Sequence, residues 1–152
     1  MNNQHVIISL VGALIFASPA TSYSAPCSEY GAIIKVENTK VGADEFVNFY
    51  VKSEAPDFEV TAVQGPKFAM VDGDPPLIVK GNKWTRIAFK GVNWTCEIAV
   101  SFKLPKPIIK QVSAIEQFEG YVTYVIGRQN KNYRGRTVSI SAGISKISLK
   151  YR

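Results

Sequence analysis

The chain has 152 residues, 46% hydrophobic and 20% charged, with a formal net charge of +6, which is the size and balance of one folded domain with its own core. No apolar run reaches the roughly 20 residues that a bilayer-spanning helix needs. The only histidine is His5, so once the first residues are removed, Ser-His-Asp and Cys-His nucleophile systems, His-ligated zinc and imidazole proton transfer are excluded.

Met1 to Ala25 contains no Asp, Glu, Lys or Arg, and its apolar run, Val6 to Ala17, ends in small residues just before Cys27. This is the pattern of an export signal over residues 1–25, although its leading region offers only the amino terminus and His5 as cations. Cleavage after Ser24 places Ser22 at the −3 position, and cleavage after Ala20 places Ser18 there. Pro26 stands where a lipoprotein signal needs a small residue before Cys27, which argues against lipidation. The expected mature chain is a single domain, 26–152, in the periplasm or outside the cell. It retains Cys27 and Cys96, and an even pair of cysteines in an exported chain reads as a disulfide, two free core thiols being the alternative. Such a bridge would stabilise the fold by up to about 4 kcal/mol.

From Ala32 onward, apolar residues recur mainly with period two in short runs bounded by Gly, Pro, Asn and Asp. The strands predicted are Ala32–Glu37, Phe46–Lys52, Phe58–Val63, Leu77–Lys80, Trp84–Lys90, Cys96–Lys103, Ile108–Ala114, Gly120–Gly127, Arg136–Ser141 and Lys146–Tyr151. About ten short strands without a helical stripe predict an all-β, antiparallel sandwich or partly closed barrel. Phase places Val47, Phe49, Val51, Cys96, Ile98, Val100, Phe102, Ile147, Leu149 and Tyr151 inward. Asn48, Tyr50, Thr137, Ser139, Ser141, Lys146, Ser148, Lys150 and Arg152 then fall on outward sides.

Two acidic pairs invite chemistry and offer little. Asp72 and Asp74 flank Gly73 before two prolines, as turn residues do, and two carboxylates fall well short of a calcium site. Glu116 and Glu119 could pair as a glycosidase acid and base, a test that any two carboxylates in a chain this size can meet. No cofactor or metal is expected. Trp84 shares its phase with Arg86 and Lys90, so it is either packed at an edge or a stacking surface for a sugar or base. Trp94 shares the phase of Cys96 and reads as core; Asn93-Trp94-Thr95 also matches a glycosylation sequon.

The charge is unevenly distributed: residues 1–102 carry 8 basic and 10 acidic side chains, and residues 103–152 carry 10 and 2. Beyond Gly120 there is no acid at all. A basic surface of Arg128, Lys131, Arg134, Arg136, Lys146 and Lys150 is therefore expected, either holding an anionic partner or simply solvated.

The segment EQFEGYVTYVIG, Glu116 to Gly127, resembles the signature of AMIN-like domains, in which Phe-Glu-Gly precedes Val-Thr and Ile-Gly. Asp44 to Gln64 is similar to that family's first hairpin, Lys80 to Phe89 to its next strand, and Pro107 to Val112 to the lead-in to the signature. The resemblance spans residues 44–152 and implies an exported β-sandwich of bacterial envelopes, akin to the AMIN domains that localise amidases and secretion components, with no catalytic residues to carry over. The chain departs from the pattern at Arg128, where Leu is usual, at Lys150, where an acid is usual, in the basic insertion 130–136 and in its cysteine pair.

The expected function is that of a non-catalytic binding module of the envelope, holding an anionic wall polymer or glycan on its basic surface with Trp84 as a stacking residue. The alternative is a scaffold domain that docks an envelope protein by edge-strand addition. No specific nucleic-acid partner is expected.

Overall fold

The strict alternation of Phe46 to Val51 is the simplest part of the chain to account for. Every second side chain enters a core, and the strand is flanked on both sides in its sheet. The computed structural model describes residues 31–70, 74–92, 101–103 and 107–152. The expected signal segment, Asp72, Gly73, Trp94, Cys27 and Cys96 lie outside the described residues.

Eleven strands follow one another: β1 Ile33–Val41, β2 Asp44–Val51, β3 Asp57–Val63, β4 Lys67–Phe68, β5 Leu77–Ile78, β6 Lys83–Lys90, β7 Ser101–Lys103, β8 Ile109–Phe118, β9 Tyr121–Arg128, β10 Tyr133–Ser141 and β11 Ile144–Tyr151. They form a four-stranded sheet in the order β1-β2-β11-β10, a five-stranded sheet in the order β3-β6-β9-β8-β7, and a small pair, β4-β5. Every pairing is antiparallel. The sheets do not close on themselves, so of the two architectures expected the molecule adopts the sandwich.

Each predicted strand is present within its described residues, and β4 is the one the sequence did not announce. Two residues are too few to show a period. The hairpins β8–β9 and β10–β11 are two-residue turns in which both central residues have positive φ: Glu119 (46°) with Gly120 (82°), and Ala142 (50°) with Gly143 (75°). That backbone matches the twist of the strands it joins.

The main core lies between the two large sheets. Phe49 of β2 meets Phe89 of β6 at 5.4 Å and Tyr124 of β9 at 5.2 Å between ring centroids. Val47, Val51, Ile147, Leu149 and Tyr151 are fully buried from one side, and Ile87, Val122 and Ile126 from the other, as the phase of β2 and β11 predicts. The side chain of Glu45 is also fully buried. Its two carboxyl oxygens accept the backbone N–H groups of Ile108 (3.1 Å) and Ile109 (2.8 Å), tying the start of β2 to the start of β8 across the sandwich.

A second, smaller core lies on the opposite face of the five-stranded sheet, where β4-β5 covers Trp84, Val125 and Val63 with Phe68, Leu77 and Val79. Trp84 donates from Nε1 to the carbonyl of Val79 (2.9 Å), and its ring packs near Phe68 at 6.4 Å. Gly65 lies flat against the indole, where a Cβ would come within 2.5 Å of the ring. The stacking role expected of Trp84 is thereby corrected. Its phase does point it away from the main core, but a strand pair invisible to periodicity covers it.

Candidate binding face

The outer surface of the four-stranded sheet gathers side chains from four strands into cross-strand rungs. Register places Lys35, Tyr50, Lys146 and Ser139 on one rung, Glu37, Asn48, Ser148 and Thr137 on the next, and Thr39, Phe46, Lys150 and Gly135 on the third. Alternation requires this, because each of these residues is out of phase with the buried Val47, Phe49, Ile147 and Leu149. The face therefore has half-exposed aromatic rings four residues apart on β2, about 13 Å along the strand, with hydroxyls and one amide between them.

Cations frame both rings. The Lys35 and Lys146 ammonium groups stand 5.2 and 5.5 Å from the Tyr50 ring centre, and Lys150 stands 6.0 Å from that of Phe46. Tyr50 donates its hydroxyl to Glu37 Oε1 at 2.6 Å, and Lys35 Nζ lies 2.5 Å from Glu37 Oε2. These two contacts, Lys35 first and then Tyr50, hold the Glu37 carboxyl below its ordinary range; the bond to Glu37 raises both Lys35 and Tyr50. At the other end, Asp44 takes an ion pair from Lys150 at 2.8 Å and a longer one from Arg152 at 3.7 Å. Asn48, at the centre, is buried and donates to Thr39 Oγ1 at 3.0 Å. Shallow depressions of about 140 Å³ beside Phe46 and about 380 Å³ beside Tyr50 open on the face. With Arg134 and Arg152 at its end, the surface carries five cations against the two carboxylates of Glu37 and Asp44.

The six basic residues singled out in the sequence do not form one surface. Lys146, Lys150 and Arg134 belong to the face, and Lys131 is exposed in the turn between β9 and β10. Arg136 pairs with Leu149, which turns it to the inward side, where its guanidinium lies 4.9 Å from the Phe58 ring at the sandwich edge. Arg128 is only 6% exposed, so its place on the basic surface is corrected. It lies inward on β9, donates to Thr85 Oγ1 at 3.4 Å and to the carbonyl of Lys131, and faces the Tyr151 ring at 5.9 Å. Burial lowers its pKa from the ordinary arginine value.

Lys35, Phe46, Glu37 and Thr39 joined the site only in the structure. The signal that places them there is the pairing of β2 with β11, which no local pattern announces. Glu116 accepts from the Thr123 hydroxyl at 2.7 Å across the β8–β9 hairpin, and Glu119 is the first residue of that turn, so each has a structural task. Asp74 is exposed, and among the described residues no three acidic, Cys or His side chains gather as a metal site would need. Among the described residues there is also no helix long and apolar enough to cross a membrane. No protein-family model matches the chain, and no curated protein matches it.

Proposed function

We propose that this chain is an exported, non-catalytic binding module of the bacterial envelope that holds an anionic wall polymer or glycan on the outer face of its four-stranded sheet. The observation that carries the reading is the composition of that face: cations at both ends, hydroxyls across the middle, and two half-exposed rings spaced along one strand. Opposite charge concentrates such a polymer at the surface, and ring faces and hydroxyls suit the apolar and polar sides of sugars.

Three features of the sequence support the same reading: the charge-free leader, the AMIN-like resemblance over 44–152, and a single histidine placed within the leader. The disulfide between Cys27 and Cys96 belongs to it.

Retention on purified sacculi across a salt series tests the proposal. Binding at low salt that falls steeply as ionic strength rises is the expected result, and the Lys146→Glu/Lys150→Glu double variant should bind at least about tenfold more weakly. Retention indifferent to salt, or no retention at low salt, rejects it. Intact mass of the protein recovered from outside the cytosol, with and without reductant, tests the leader and the disulfide together.

A further inference from the structure

We infer that β10 is an acceptor strand for an extended segment of another protein, one whose same-face positions read acidic, apolar, apolar. β10 is an edge strand of nine residues, with only β11 beside it. Register places Arg136, Val138 and Ile140 on the inward side, opposite Leu149, Ile147 and Ser145. Those three partners are fully buried, yet Val138 and Ile140 are 46% and 56% exposed.

The edges at β1 and β3 differ. On β1 the inward Ile33 and Val36 are buried, and on β3 the inward Phe58 and Val60 are packed against the main core. An edge that offers free backbone groups together with uncovered apolar side chains is a template for strand addition.

Charge selects the occupant. Arg134 and Arg136 lie on β10, no acid occurs from Gly120 to the last residue, and among the described residues Arg136 makes no ion pair. Two copies joined β10 to β10 would bring four guanidinium groups into one seam with no carboxylate from either strand, so a second copy is the wrong partner. A strand laid alongside at about 4.8 Å instead places apolar side chains next to Val138 and Ile140 and a carboxylate next to Arg136. This site is separate from the polymer-binding face, since it uses the inward side of the strand and its free edge.

The test uses the full chain and two synthetic peptides in which Thr alternates with Glu, Val and Ile, one in each order, to allow parallel or antiparallel pairing. Fluorescence anisotropy should show saturable binding of at least one peptide, and hydrogen exchange should show slowed amides within 133–141. N-methylation of that peptide at alternate residues removes ladder donors without touching the protein and should weaken binding at least about tenfold. Replacing its Glu by Lys should do the same, as should Val138→Ser/Ile140→Ser in a chain whose sheet signal in circular dichroism is unchanged. The inference is overturned if neither peptide binds, if a scrambled peptide binds equally well, if N-methylation has no effect, or if sedimentation shows that β10 is already occupied in a dimer.

Discussion

Gly127 shows how much a single missing atom can decide. A Cβ there would fall 2.0 Å from the carbonyl oxygen of Lys80, because the chain leading out of β5 passes directly over β9. Its two nearest neighbours are backbone atoms, which cannot swing away, so Gly127→Ala should cost at least about 1–3 kcal/mol, read as a lower urea midpoint at constant slope. Ala142 presents the opposite case: at φ 50° it occupies the left-handed region, which favours Asn or Gly, and it precedes Gly143 in a tight hairpin. Ala142→Asn should raise stability by about 0.5–1 kcal/mol in the same assay. Neither effect was legible beforehand. The sequence places Gly127 at the end of a strand, but the crossing chain above it and the sign of φ at Ala142 are products of tertiary structure. Arg128 was misread for a related reason, since a basic residue in a basic segment reads as surface until its strand phase is set against a second sheet.

At the level of strands, phase was the reliable guide. It placed Val47, Phe49, Val51, Ile147, Leu149 and Tyr151 inside, and it put Tyr50, Lys146 and Lys150 on the opposite side. What it could not supply was which strands lie side by side, so the basic residues of β10 and β11 were read without the aromatic β2 and the acidic Glu37 of β1 beside them. The pairing has a measurable consequence. Because the folded Glu37 carboxyl is held below its unfolded value, the unfolded state binds the proton more readily. The contribution is therefore complete above the ordinary carboxylate pKa of about 4.3 and is lost as pH falls through the lower folded value. Lys35 is more than half exposed, so solvent screening keeps the effect small. A carbon-detected titration should show Glu37 changing protonation below the ordinary carboxylate pKa of about 4.3, and Lys35→Ala should move it back upward.

For the molecule as a whole, the two sheets are joined by packing and, at the start of β2, by the carboxylate of Glu45. Glu45→Ala leaves the N–H groups of Ile108 and Ile109 buried without acceptors and should lower stability by about 2–5 kcal/mol, the largest loss among these variants. A sandwich was legible from turn spacing and alternation, but Glu45 was not, because a lone acid at the head of a strand looks like any solvated residue. The central place of β11 has a consequence for biogenesis. β2, Asp44–Val51, is bordered by β11, Ile144–Tyr151, so the four-stranded sheet cannot assemble until the chain has been made through all the strands between them. Such long-range closure is slow compared with local hairpins, on the order of milliseconds to seconds. Until the eight residues of Ile144–Tyr151 have emerged, Glu45–Val51 lacks the partners on its second side, and the hydrogen-bonded ladder between them stays open.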